Sequence, residues 1–232
     1  MPWQVRTGPP GDGGPFVAQN DAVAALREFW TGQVLPRLTD VVLSDPTART
    51  WRTTVCGGAT GVVLELGFGS GRNLTYYPPT VTRVLAVEPA DLSWARAQAR
   101  ITASGMPVER VGLDGAVLPV PDASVDTVVS TWTMCTIPDI DGALAEVRRV
   151  LCPGGRLRFV EHSLAPTPRV AGVQRAIQPV WGPAAGGCHV DRDIVGLLRG
   201  AGLDVALTHD GFVGAGPAKP WTWFVTGTAT PG

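Results

Sequence analysis

Three acidic residues stand at the ends of three successive apolar runs. They are Glu65 in "VVLELGFGSGRNL", Glu88 in "LAVEP" and Asp114 in "VERVGLDG". Between the first two lies a loop carrying Gly67, Gly69 and Gly71. A glycine loop between a buried strand and a helix N-terminus turns tightly and offers its amides to an anion. A dinucleotide fingerprint, G-x-G-x-x-G, needs its third glycine at the place of Arg72, and Gly71 comes one residue early. Glu65 points the same way, because a carboxylate just ahead of the loop repels a pyrophosphate. It suits a ligand with one carboxylate and two cationic groups, an ammonium and a sulfonium. S-adenosylmethionine is such a ligand: its carboxylate meets the loop amides and its cationic end lies in the field of Glu65. Glu88 is placed to accept from two ribose hydroxyls, and Asp114 from the adenine amino group.

These residues need a scaffold that brings strand ends to one edge. The first strand spans Val62 to Leu66, and a short helix is expected from about Arg72 until Pro78 and Pro79 end it. "VLAVEP" is the second strand, ending at Glu88, and a second helix runs from Asp91 to Ser104 before Gly105. "VERVGLD" is the third strand and Val125 to Trp132 the fourth. Ile140, Ala143, Leu144, Val147, Val150 and Leu151 recur at helical spacing before "CPGG" breaks the helix. Gly155 to His162 is the fifth strand. The Pro- and Gly-rich stretch from about Ala165 to Val190 is too long for an ordinary connection and reads as a lid, with a short helix near Val173 to Ile177. Asp191 is the expected cap of the next helix. Two last strands, at about Asp204 to Thr208 and Trp221 to Thr228, have no helix between them and should pair antiparallel.

The chain has 232 residues, enough for a single domain with a full core. Only 17% of them are charged and the mean hydropathy is +0.14, as a buried parallel sheet requires. The net charge of -1, without a block of Lys or Arg, leaves no electrostatic footprint for nucleic acid. Residues 1–18 are rich in Gly and Pro and read as a disordered leader, and a flanking helix is expected from Asn20 to Pro36. No run of about 18 apolar residues occurs, so no integral membrane segment is expected. Cys56, Cys135, Cys152 and Cys188 form no C-x-x-C pair; packed, reduced thiols in a cytoplasmic protein are expected, with no metal. Nothing in the spacing sets an oligomeric state.

In order and spacing, "VLELGFGSGRN", "LAVEP", "GLDGAVLPVPDASVDTVVST" and "EVRRVLCPGGRLRFVEH" resemble the motifs of class I S-adenosylmethionine-dependent methyltransferases acting on small molecules. The resemblance covers about Val62 to Ala229. It implies an α/β fold with a doubly wound, seven-stranded, mostly parallel sheet whose last inserted strand is antiparallel. It assigns Glu65, Gly67, Gly69, Gly71, Glu88, Asp114 and Gly115 to the cofactor. Pro89, Ala116 and Thr131, at the same strand ends, complete that set. "GRNLTYYP", "EHSLAP", "QPVWG" and "GGCHVDRD" are similar to the methyltransferase-like thiol S-methyltransferase branch, onto whose pattern Asn73 and Tyr77 fall.

Methyl transfer from a sulfonium is an in-line displacement, so positioning and water exclusion matter more than catalytic side chains. A thiol acceptor is already partly ionised near neutral pH and needs only a weak base. His162, past the end of the fifth strand with Glu161 beside it, is the candidate base, and His189 the second choice. Trp132, Ile137, Trp181 and His189 are the candidate pocket walls, and His209 is expected in a distal turn. A nucleic-acid amino-methyltransferase would carry an Asn- or Asp-Pro-Pro-aromatic motif where this chain reads "STWTMCTIPD". A carbon or oxygen methyltransferase of quinones or phenols, a phospholipid N-methyltransferase and a non-catalytic cofactor-binding protein share the same cofactor motifs and stay open.

Overall fold

Short apolar runs bounded by turn residues become strands, and their carboxyl ends define one edge of a sheet. The computed structural model describes residues 29–34, 37, 46–112, 114–213 and 216–232. The parallel part comprises β1 (Gly61–Leu66), β2 (Val81–Val87), β3 (Val108–Gly112), β4 (Val125–Thr131) and β5 (Leu151–His162). β6 (Leu203–Phe212) is an edge strand, and β7 (Trp223–Pro231) is inserted antiparallel between β5 and β6. The order is β3-β2-β1-β4-β5-β7-β6, so the winding reverses between β1 and β4. That reversal opens a crevice at the carboxyl ends, where sheets of this kind bind ligands. The expected fold class, inserted strand included, is the observed one.

Alternation along the strands builds two apolar layers. Leu64, Val128 and Phe159 face one side and pack with Leu144 and Val147; Val63, Val129 and Val160 face the other and pack with Val55 and Ala97. The helices are α1 (Pro46–Cys56), α2 (Asp91–Ser104), α3 (Ile140–Val150), α4 (Pro168–Ala184) and α5 (Ile194–Gly200). α2 has the expected bounds and stops where Gly105 adopts φ 65°. The same alternation turns Glu161 and His162 to opposite faces of the sheet.

Four local expectations are corrected. No α-helix follows the glycine loop: a single 3₁₀ turn, Leu74–Tyr76, takes its place, so no long helix dipole faces the crevice, and the amides of Gly67, Phe68 and Gly71 donate to the Val87 and Phe68 carbonyls. α4 is a full helix of 17 residues despite Pro179 and Pro183, far longer than the expected turn at Val173 to Ile177. Asp193, not Asp191, caps α5, its carboxylate accepting from the Gly196 amide at 2.9 Å. His209 lies within β6, stacked on Trp51 at 4.8 Å, rather than in a turn. The leader expected over residues 1–18 lies outside the described residues. So does most of the helix expected from Asn20, of which a π-helical turn, Trp30–Val34, is described. Among the described residues no helix is long and apolar enough to cross a membrane.

Candidate active site

The glycine loop folds as its sequence requires. Gly67, Gly69 and Gly71 have φ of 69°, 59° and 76°, a region that side chains disfavour. A Cβ on Gly67 would sit 2.1 Å from Thr133 Oγ1, so this glycine also lets the loop after β4 close over the loop after β1. Glu88, at the tip of β2, ties the turn together: its carboxylate accepts from the Gly69 amide at 2.6 Å and the Ala90 amide at 2.8 Å. Arg110 donates to the Glu88 carbonyl at 2.9 and 2.7 Å and lies over Trp94. Burial pushes the Glu88 carboxyl up, and the two amides oppose that shift. Each oxygen keeps acceptor capacity, which a pair of ribose hydroxyls can use.

Asp114 is exposed beyond β3 and accepts from the Ala116 amide at 2.9 Å, an Asx turn that fixes its direction. Gly115 is buried against Ile137, Ala143 and Leu66. Pro89 is exposed at the start of α2.

Glu65 is nine-tenths and more inside the protein, at 1% exposure. Tyr77 donates to one oxygen at 2.6 Å and Asn73 Nδ2 to the other at 2.8 Å. Asn73 Nδ2 also reaches Thr131 Oγ1 at 3.2 Å, and its Oδ1 accepts from Arg52 Nε at 3.0 Å. Burial pushes the Glu65 carboxyl up to about 8, while Tyr77, Asn73 and Arg52 draw it down and Glu88 adds to the rise. The carboxyl is thereby poised close to neutral pH, and a cation brought beside it favours ionisation.

Arg52 was not apparent among the motifs. Its one sequence signal is its place on the buried face of α1 with Ala48, Val55 and Cys56, where an arginine is out of pattern. Its guanidinium lies 5.1 Å from the ring centre of Trp132. Trp132 has φ 54°, a left-handed conformation that is strained for a bulky residue, and its amide is held by the Val160 carbonyl at 2.8 Å. The turn after β4 thus swings the indole toward the Arg52 side of the sheet.

Glu161 and His162 do not act as a pair. The Glu161 carboxylate accepts from the Ser130 hydroxyl at 2.7 Å and the amides of Thr133, Met134 and Cys135 at 2.9, 3.0 and 3.2 Å. It shapes the loop after β4 rather than orienting an imidazole. His162 instead stacks on Phe224 at 4.4 Å and places Nδ1 4.0 Å from Cys188 Sγ, which lies 3.7 Å from Cys135 Sγ. Cys188 is held below the ordinary thiol range, first by its hydrogen bond with Cys135 and then, against burial, by His162. The Cys135 thiol is pushed up, by that same bond and by burial.

The remaining pocket candidates divide. Trp181 packs beside Cys135 and Cys188, with Trp221 5.8 Å away. His189 lies next to that group: its amide donates to the Cys135 carbonyl at 2.8 Å, and its Nδ1 meets Gln178 Nε2 at 3.2 Å. Ile137 belongs to the main core with Ile140 and Leu144. Gln174, buried in α4, donates to the Ser163 and Pro220 carbonyls, each at 3.1 Å, and so docks α4 over the end of β5.

Residues 64–159 match the family model described as "Methyltransferase domain". The chain is 37% identical over 144 residues to the thiol S-methyltransferase TMT1B of Homo sapiens, covering 59% of this chain and 58% of that protein. It is 30% identical over 119 residues to the phosphatidylethanolamine N-methyltransferase of Cereibacter sphaeroides, covering 50% of this chain and 58% of that protein. The chain thus spans little more than half the length of the curated relatives it matches. Among solved structures, the carbon methyltransferase CurJ superposes with a TM-score of 0.60 at 16% identity, covering 98% of this chain and 73% of that one. That likeness is one of fold.

Proposed function

We propose that this chain is an S-adenosylmethionine-dependent methyltransferase that methylates a small, fairly apolar acceptor, a thiol. The observation that carries the reading is the buried Glu65, held by Tyr77 and Asn73 directly beneath a glycine loop whose Gly69 amide is bound by Glu88. When bound, S-adenosylmethionine supplies an electrophilic methyl group on a sulfonium. Glu88 would hold the ribose diol and Asp114 the adenine edge. Glu65 would ionise beside the cationic end and give its proton to solvent.

The acceptor lies at the carboxyl ends of β4 and β5, between Trp132 and His162 and beneath the segment that includes α4. His162 turns Nδ1 to Cys188 and leaves Nε2 to take the proton of an incoming thiol. The displacement joins the acceptor sulfur to the methyl carbon as the carbon–sulfonium bond breaks, leaving a thioether and the demethylated cofactor. Neutral surface charge and the absence of a Lys or Arg block speak for a soluble small-molecule acceptor rather than nucleic acid. A cytoplasmic setting would keep both the acceptor and Cys135 and Cys188 reduced. The likeness to a phosphatidylethanolamine N-methyltransferase supports a second reading, a primary amine headgroup as acceptor.

Incubation with methyl-labelled S-adenosylmethionine and a panel of thiols, phenols, quinols and phospholipids, with mass identification of products, tests the proposal. A methyl thioether is the expected product. Failure of every thiol alongside turnover of a quinol, phenol or amine headgroup would overturn the thiol assignment.

A further inference from the structure

Two cysteines that stand 53 residues apart in sequence meet a histidine at the carboxyl edge of the sheet. Cys135 follows β4, His162 ends β5, and Cys188 lies between α4 and α5. Their ligand atoms, two sulfurs and an imidazole nitrogen, all lie within 4.8 Å of one another. The sulfur-to-sulfur distance is 3.7 Å and that from Cys188 Sγ to His162 Nδ1 is 4.0 Å. A tetrahedral ion with metal–sulfur bonds of about 2.3 Å and metal–nitrogen bonds of about 2.0 Å needs donor separations of roughly 3.5 to 3.8 Å. The Cys135–Cys188 separation matches that figure and the Cys188–His162 separation is a few tenths of an ångström longer, while the Cys135–His162 pair, within 4.8 Å, would close by up to about 1 Å around an ion.

We propose that Cys135, His162 and Cys188 form a three-donor site for a thiophilic divalent cation, Zn2+, with a fourth coordination position left open. Two thiolates and one imidazole neutralise a doubly charged ion, which this setting demands, since Cys135 is 1% and Cys188 6% exposed. Soft sulfur and imidazole donors select zinc over magnesium or calcium. The surroundings hold the donors in place: the Cys135 amide donates to Glu161, and the Cys188 carbonyl accepts from Gln178 at 3.1 Å. Among the described residues the buried Trp181 indole N–H has no oxygen or nitrogen acceptor, and it packs beside these two sulfurs. A thiolate sulfur bound to a metal is an acceptor suited to such a donor.

Three protein donors with an open position are the pattern of reactive rather than purely structural zinc sites. The open position would bind and ionise a thiol or a water; with Nδ1 on the ion, His162 Nε2 carries the ring proton, so in the loaded protein the ion rather than the imidazole would activate the thiol. This use as a thiol activator rests on the thiol reading above, whereas the metal site itself does not, because all three donors belong to this chain.

The test is a Co2+ titration of the full chain, reduced and stripped with a chelator, under argon. The expected result is a near-ultraviolet thiolate-to-cobalt band that saturates at one ion per chain and is erased by Zn2+. Cys188→Ala and Cys135→Ala should each lower Zn2+ affinity by more than the roughly 10- to 100-fold that loss of a supporting hydrogen bond costs. Cys152→Ala, at a cysteine hydrogen-bonded to Asp126 at the opposite end of β5, should leave it unchanged. If Cys135→Ala fails to fold by circular dichroism, Cys188→Ala and His162→Ala decide the matter. Absence of the cobalt band in wild type, or its persistence in Cys188→Ala, overturns the site. So does a Cys135–Cys188 disulfide, two hydrogens lighter, that forms in air as readily with Zn2+ as without, because the pair would then be a redox dithiol. A bound ion with no turnover of any thiol would leave the site standing and remove only the thiol reading.

Discussion

Glu65 and Glu161 are both buried carboxylates near the ends of strands in one sheet, yet they are solvated by different means. Glu161 is fixed by three backbone amides and one hydroxyl, donors that cannot swing away. Glu65 is held by two side chains, Tyr77 and Asn73, and Asn73 is itself shared among Arg52, Thr131 and the carboxylate. Burial raises both carboxyls. Under the proposed function, the difference divides the two acids: Glu161 builds the loop on the acceptor side and Glu65 answers to the cofactor. A carboxylate wrapped in main chain shapes a loop, whereas one held by rotatable side chains can change protonation and partners when a cation arrives.

The harshest way to break this comparison is Glu161→Ala. It strands three buried amides and a hydroxyl, so stability should fall by about 3 to 5 kcal/mol in urea unfolding. A loss below about 1 kcal/mol would mean that the loop after β4 is held by something else. His162→Ala should slow turnover of a thiol about ten- to a thousandfold. Glu88→Ala should weaken cofactor binding by about 1.5 to 3 kcal/mol by isothermal titration, since it removes a charged acceptor from both the Gly69 amide and the ribose.

Glu65 sets a pH dependence whose sign is fixed. Its folded carboxyl is raised from 4.5 to about 8, so the folded state keeps a proton that the unfolded chain has lost. Its contribution to stability is therefore present below about pH 4.5 and lost as the pH rises to about 8, at no more than roughly 1.4 kcal/mol per pH unit. Glu88 and Glu161 act in the same direction, so the share of Glu65 is the slope that Glu65→Gln removes from unfolding curves taken at pH 5, 6, 7 and 8. An unchanged slope in Glu65→Gln contradicts the poised carboxyl. Asp114→Ala is the smallest effect, a loss of cofactor affinity below that of Glu88→Ala, because it forfeits one amino donor while stacking remains.

The parallel sheet and the three strand-end acids were legible in the sequence, because strand period and glycine spacing are local signals. The segment after Gly71 was misread as a helix: Asn73 spends its side chain on Glu65 and Thr131 instead of a cap, and Pro78 closes the segment after one turn. α4 was hidden by Pro179 and Pro183, which lower helix propensity locally but are outweighed by docking through Ala171 and Gln174. The meeting of Cys135, His162 and Cys188 carries no local signal at all, since it is made by the fold joining three separate chain segments. Arg52 lay between these cases, visible only as a charge in the buried stripe of α1.

The most direct test of the division between a cofactor half and an acceptor half is to measure the S-adenosylmethionine dissociation constant and the turnover rate together in two variants. Glu88→Ala should raise the dissociation constant about ten- to a hundredfold while turnover at saturating cofactor stays near wild type. His162→Ala should leave the dissociation constant within about twofold and lose turnover instead. The reverse pattern, or loss of both quantities in both folded variants, would contradict the assignment of β1 to β3 to the cofactor and of the β4 and β5 ends to the acceptor.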